Sequence, residues 1–438
     1  MIKNRTAILA LLTGLNLLNY IDRYVVAAVL KKIQEPTELG GLALSNLEGG
    51  LLATAFLAGY FVTSPIFGAR ADKGKRTGLI AFGVIVWSIS TFATGLAHSF
   101  GTMMIARVCV GVGEASYATL APTIIDDITP PDQKSRTLAI FYLAIPVGSA
   151  LGFVFGGAIE PVWGWRAAFF IAGGPGILLA LTCLLIKEPA RILREDKASI
   201  AQSIGTLSKL PLFRRAVLGY CAYTGAVSAF AYWAPKYLAE RYAADVHFTM
   251  VGGILHVVVD KAAQLSNSSA SVIFGGVTVV GGALGTIIGG RWADKAANKV
   301  ATVTETTSWD ARPNKLAINA QLKVCAWGMI IAAPLTAVAF GMPTPMLFFL
   351  CAFLAEIGLF LSTSPVSAIG LRSVPPELRA SAMAAMIFAI HLFGDLWSPT
   401  VLGLLNDLLI SIVAMMALPL TFAWSAWLWW PRAKEADG

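Results

Sequence analysis

The sequence predicts an all-α membrane protein whose twelve transmembrane helices form two six-helix bundles, and three observations carry that prediction. Of its 438 residues, 56% are hydrophobic and 13% are charged, with a mean hydropathy of +0.70, more apolar than a soluble domain. The apolar residues fall in runs long enough to cross about 30 Å of hydrocarbon. Lys and Arg crowd onto alternate loops between those runs. A water-soluble enzyme, a disordered chain and a nucleic-acid-binding protein are excluded, because each needs low hydrophobicity or a solvated polar surface.

Taken in order, the runs predict helices over 6–30, 46–69, 77–97, 99–125, 136–158 and 167–186, then over 213–237, 268–290, 318–340, 344–370, 378–404 and 408–431. Lys3 and Arg5 give the first run the look of a signal peptide. It continues through Asn19, Tyr20, Asp22 and Arg23 to Leu30 without a small-residue cleavage site, so it is read as a retained span. With both termini placed in the cytoplasm, the basic segments 70–76, 187–215 and 291–323 lie inside. Only Lys31, Lys32, Arg166, Lys236, Arg241 and Lys261 lie outside, and Arg23 and Arg107 lie within spans. The net charge of +8 is thus mainly a topology signal, with some attraction to anionic inner-leaflet lipids.

The polar stretch 187–212 is the expected boundary between an N-terminal bundle, 1–186, and a C-terminal bundle, 213–438. Internal repetition supports the division. Gly68-Ala69-Arg70-Ala71-Asp72-Lys73 after the second span recurs as Gly290-Arg291-Trp292-Ala293-Asp294-Lys295 after the eighth, and Pro130-Pro131-Asp132 before the fifth recurs as Pro375-Pro376-Glu377 before the eleventh.

The loop after the second span resembles the Gly-x-x-x-Asp-Arg/Lys-x-Gly-Arg/Lys motif of the major facilitator superfamily. Here Asp72-Lys73-Gly74-Lys75-Arg76 is one residue shorter, which leaves the pairing of Lys75 and Arg76 open. Asn19-Tyr20-Ile21-Asp22-Arg23-Tyr24, Arg107, Gly111-Val112-Gly113-Glu114-Ala115-Ser116-Tyr117 and Ala121-Pro122-Thr123 resemble bacterial members of the Spinster family. The resemblance implies the major facilitator fold and a proton-coupled carrier of amphiphilic lipids, of lysophospholipid or sphingosine type, in the inner membrane of a bacterium. It also implies that Asp72 and Asp294 meet the N-termini of the eleventh and fifth helices as gates, with Gly68, Lys73, Gly290 and Lys295 around them. A drug antiporter or organic-anion symporter of the same fold is the alternative.

Ionisable groups inside a membrane are costly enough to mark function. Arg107 and Glu114 are seven residues apart, on one helical face about 10 Å apart along the axis. Asp22 is expected to pair with Arg107, leaving Glu114 less compensated and able to exchange a proton. Arg23, offset about 100° from Asp22, is free to brace the fold or meet a headgroup. Glu356, His391 and Asp395 form a possible second polar cluster, with His391 and Asp395 at i,i+4 spacing. An anionic headgroup suits Arg107 or Arg23, since guanidinium binds such groups bidentately. Asn19, Tyr20, Ser116, Tyr117, Tyr223, Trp233 and Trp397 complete the candidate substrate-binding set.

Gly148, Gly152 and Gly156 on the fifth span and Gly281, Gly285 and Gly289 on the eighth are small-residue stripes that allow close approach. Those two spans meet between the bundles in the superfamily, so the stripes are expected to slide on each other. Prolines 65, 122, 146, 235, 365 and 399 mark kinks. Residues 238–267 form a long outer loop whose apolar stretch 250–259 is too short to span, either a surface-lying amphipathic segment or a connector.

The five cysteines, 109, 183, 221, 325 and 351, have no CxxC spacing, and the four histidines are scattered, so no disulfide framework or metal site is expected. No phosphate-loop motif occurs. The expectation is a non-enzymatic monomer without nucleic-acid partners, needing no cofactor and using protons as the coupling ion.

Overall fold

The computed structural model describes residues 2, 4–73, 75–129, 134–188, 205–242, 246–251, 254–259, 265–301, 315–374, 379–409 and 411–431. In chain order the elements begin with α1 (Arg5–Gln34), α2 (Asn46–Lys73), α3 (Arg76–Gly95), α4 (Phe100–Ile128), α5 (Lys134–Cys183) and α6 (Pro211–Arg241). The hairpin strands β1 (Val246–Val251) and β2 (Ile254–Val259) follow, then α7 (Asn267–Ala301), α8 (Lys315–Gly341), α9 (Pro345–Phe360) and α10 (Thr363–Arg372). Last come α11 (Arg379–Ile390), a π-helical turn (His391–Asp395), α12 (Ser398–Leu408), α13 (Ser411–Met415) and α14 (Ala417–Trp429).

Each expected span is helical within the described residues. Nine helices there are long and apolar enough to cross a membrane by length and composition alone. That set leaves out α1, which carries Asn16, Asn19, Asp22 and Arg23, and α6, which carries Arg214, Arg215 and Lys236.

The connection expected over residues 159–166 is a kink: two helices meet within α5 at Gly164, with φ +77° and ψ 165°. Nothing lies within 4 Å of a Cβ built there, so the left-handed backbone, not lack of space, requires glycine. Within the outer loop expected over 238–267, the described residues of the apolar stretch form strand rather than a disordered connector. α6 continues to Arg241, and β1 and β2 then pair antiparallel, with Val246 opposite Val259 and Val251 opposite Ile254.

The chain clusters into two compact units. The first contains 1–193, 231–276 and 399–408, and the second contains 194–230, 277–398 and 409–438. In the first unit, the face where α1 begins and α2 ends is the near face, and the opposite one is the far face. Asn4 caps α1 by accepting from the Thr6 and Ala7 N–H groups at 2.8 and 3.3 Å, a side-chain answer to orphaned donors.

The glycine stripes do not face each other. Cβ atoms at Gly148, Gly152 and Gly156 would meet Leu17, Tyr20, Ile21, Tyr24 and Ala28 of α1. Those at Gly281, Gly285 and Gly289 would meet Glu356, Ile357, Phe360 and Leu361, within the second unit. Each stripe therefore seats a helix inside its own unit. α5 and α7 approach through other small residues, Gly157 against Ser268 and Ser271 and Gly275 against Ala150 and Phe153, all in the first unit. In the second unit, Phe213, Val217 and Cys221 of α6 pack with Val374, Ala382, Met386 and Ile390. The Trp429 indole there donates to the Ala216 carbonyl at 3.1 Å.

Candidate functional site

Four buried or half-buried ionisable side chains of the first unit sit on two of its helices: Asp22 and Arg23 on α1, and Arg107 and Glu114 on α4. The expected pairing is corrected. Asp22 makes no ion pair with Arg107; its Oδ2 accepts from the Trp87 indole N–H and the Thr91 hydroxyl, both at 2.6 Å. Glu114, fully buried, accepts from Arg23 at 2.9 Å. The physical reason is the rotation of α1. Its next residue, about 100° further round, is the one facing α4, while Asp22 faces α3.

Arg107 acts on Asp22 through space, with its guanidinium 5.2 Å from the Phe56 ring centre. Its Nε and Nη1 are buried with no hydrogen-bond partner among the described residues. Arg23 is surrounded by aromatic faces, 4.9 Å from Tyr20, 4.8 Å from Phe56 and 5.9 Å from Tyr60. Such cation–π contacts, strengthened by desolvation, hold the guanidinium beside Glu114. Oδ1 of Asp22 and Oε1 of Glu114 also lack hydrogen-bond partners, so the cluster retains both donor and acceptor capacity. Asn19 adjoins Glu114.

The remaining candidates divide by position. Ser116 donates to the Leu79 carbonyl at 2.7 Å and Tyr117 to the Leu12 carbonyl at 2.5 Å, so both hydroxyls tie α4 to neighbouring helices. Trp233 is buried and donates to the Pro399 carbonyl at 2.8 Å. In the second unit, the Tyr223 hydroxyl lies 3.1 Å from that of Thr363, and Trp397 is 54% exposed. The His391 Nδ1 sits 2.9 Å from Asp395 Oδ2, the i,i+4 pair that the spacing suggests. Glu356 is apart from both, accepting from the Thr278 hydroxyl at 2.8 Å with its Oε2 unpartnered among the described residues.

Of the gate residues, Gly68 approaches Thr119 and Gly290 approaches Ser364, while Asp294 and Lys295 are exposed. The Asp72 and Lys73 side chains and the turns at 130–133 and 375–378 lie outside the described residues. The shortened loop motif does resolve at Arg76. This buried side chain pairs with Asp127 at 2.7 Å and Glu188 at 2.9 Å, and donates to Thr123 at 3.1 Å. Glu188 also accepts from the Thr77 N–H and hydroxyl, each at 3.1 Å. Burial pushes the Glu188 carboxyl up, but the bonds from Arg76 and Thr77 outweigh it and hold it below the usual carboxylate range.

Sequence reasoning missed Trp87, Thr91, Phe56 and Tyr60. The available signal was spacing: Trp87 and Thr91 are four apart on α3, and Phe56 and Tyr60 four apart on α2, so each pair shares a helical face.

Residues 12–399 match the Major Facilitator Superfamily. Protein spinster homolog 1 of Xenopus tropicalis is 31% identical over 418 residues, covering 92% of this chain and 73% of that protein. The probable sphingolipid transporter spinster homolog 2 of Arabidopsis thaliana is 32% identical over 426 residues, covering 90% and 79%. Among solved structures, a bacterial homologue of the human lysosomal transporter Spinster, in an inward-facing and unoccupied conformation, superposes with a TM-score of 0.78 at 22% identity, over 98% of this chain and 97% of that one. A D-xylose–proton symporter superposes with a TM-score of 0.73 at 15% identity, over 99% and 98%. With its helical architecture, its helix 1 and helix 4 charges and these relatives in agreement, the chain belongs to the major facilitator superfamily and, within it, to the Spinster family of membrane transporters.

Proposed function

We propose that this transporter moves an amphiphilic lipid with an anionic headgroup, of lysophospholipid or sphingosine type, coupled to protons and by alternating access. The observation that carries the reading is Arg107: a buried guanidinium with two N–H-bearing nitrogens unpartnered among the described residues, near the buried carboxylate of Asp22. A phosphate or carboxylate supplies the acceptors that those donors lack. The name of the Arabidopsis relative, a probable sphingolipid transporter, supports a lipid cargo.

Protons act at the Arg23–Glu114 pair. Protonating Glu114 removes the charge that holds Arg23 and frees α1 to move against α4. Asp22 lies near Arg107, so an arriving anion and Asp22 compete for one guanidinium. In this reading the bundles 1–186 and 213–438 are the moving bodies, 187–212 joins them, and substrate binds near the midplane. The near face is cytoplasmic, in a bacterial inner membrane, and the carrier works as a monomer with Asp72 and Asp294 as inner gates.

The test is uptake of labelled lysophospholipid and sphingosine-type lipid into proteoliposomes with and without a pH gradient. Saturable uptake stimulated by the gradient is expected. Uptake no greater than in empty liposomes, with transport of organic acids or lipophilic drugs instead, would replace the lipid cargo by one of those classes.

A further inference from the structure

The first unit carries a polar tie at its far face that the coupling chemistry does not use. α2 starts at Asn46, and the first four N–H groups of a helix have no partner within it. Counted from the cap Ser45, a local capping box answers half of them: the Glu48 N–H donates to Ser45 Oγ at 3.2 Å and the Ser45 N–H to Glu48 Oε2 at 2.9 Å. The other two N–H groups reach across the sequence. Asn46 and Leu47 donate to Oδ1 and Oδ2 of Asp407, at 3.1 and 2.7 Å. Both oxygens of a carboxylate at the end of α12 therefore sit on the positive end of α2.

Other contacts run alongside. Lys236, buried on α6, donates to Gln34 at 2.6 Å and to Asn46, and lies 3.5 Å from Glu240. The Tyr232 hydroxyl donates to the Gly49 carbonyl at 2.7 Å, and the Thr54 and Thr400 hydroxyls meet at 2.6 Å. The Asp407 contact differs from these in being exposed. When it separates, water can take over the carboxylate and both N–H groups, so its release leaves no buried group unsatisfied. The buried contacts beneath it have no such substitute until the face has begun to open.

We propose that Asp407 is a releasable latch, whose carboxylate on the N-terminus of α2 keeps the far face closed and whose departure is the first step in opening it. The latch rests on alternating access and is independent of the cargo and of the coupling ion.

The experiment places a single cysteine at Thr54, beneath the latch, in a background with the five native cysteines replaced. Its labelling rate is followed with a membrane-impermeant maleimide applied to the far face in oriented vesicles. Asp407→Ala is expected to raise the rate about two- to fivefold, the range that one carboxylate at a helix N-terminus corresponds to. Asp407→Asn, which keeps one acceptor oxygen, should fall between. An unchanged rate in Asp407→Ala overturns the latch. As a second measurement, cysteines at 46 and 407 are bridged by a short cleavable dithiol reagent. Labelling at position 54 should then stop and return on cleavage, and labelling that persists through the bridge also overturns it. Neither readout needs a transported substrate, so failure of the lipid or proton reading leaves the result interpretable.

Discussion

Glu114 and Glu356 are both buried glutamates in membrane-spanning helices, and their surroundings are opposite. Glu114 faces an arginine held by three aromatic rings. Glu356 faces one threonine hydroxyl and the glycine stripe of α7. A buried charge is tolerated when it is paired and becomes expensive when one partner is removed. Glu114 is thus tied to the charge of Arg23, and Glu356 is paired with no cation among the described residues. Burial alone does not separate the two carboxylates; the presence of a counter-charge does, and the proposed coupling rests on that counter-charge.

The strongest way to break this contrast is Arg23→Met. It strands Glu114 without its cation, and the expected loss is about 3–5 kcal/mol, read as a lowered melting temperature in detergent. Adding Glu114→Gln should recover most of it. A double variant no more stable than Arg23→Met alone would mean that a stranded Glu114 is not the source of the loss. Next in size is Glu356→Leu, which leaves the Thr278 hydroxyl facing an apolar side chain at an expected cost of about 1–3 kcal/mol. By contrast Glu356→Gln keeps an acceptor for that hydroxyl at nearly the same volume and should cost less than Glu356→Leu. Equal losses in the two variants would show that the charge of Glu356 matters after all.

Glu188 sharpens the comparison from the solvated side. Its folded carboxyl is held below the usual range, so the stabilisation it gives is complete above the unfolded value and disappears as pH falls through the folded one. The melting-temperature difference between the wild type and Glu188→Gln should be present at pH 7 and shrink toward zero below about pH 4. A difference that grows on acidification would reverse the assignment.

Much of this was legible in the sequence, and the missing part has one physical cause. Hydropathy and charge asymmetry locate the spans, and the cost of intramembrane charge picks out Asp22, Arg23, Arg107 and Glu114. Pairing depends on how each helix is rotated about its axis, which no single-helix pattern specifies. A rotation of one residue on α1 decides whether Asp22 or Arg23 meets α4. The glycine stripes repeat the lesson, since the periodicity identifies a close-packing face and leaves its partner undetermined. Gly164 and the β1–β2 hairpin were missed because a single left-handed residue and a short apolar repeat carry little periodic signal. The Asp407 contact was missed because it joins residues some 360 positions apart.

The central claim is that the Arg23–Glu114 pair couples proton movement to transport. The most direct measurement compares two modes in one proteoliposome preparation of Glu114→Gln: gradient-driven accumulation, and exchange of labelled for unlabelled substrate at equal pH. Accumulation should be lost while exchange continues. Accumulation at the wild-type level would contradict the claim and move the coupling to another group, with Asp22 the first to examine.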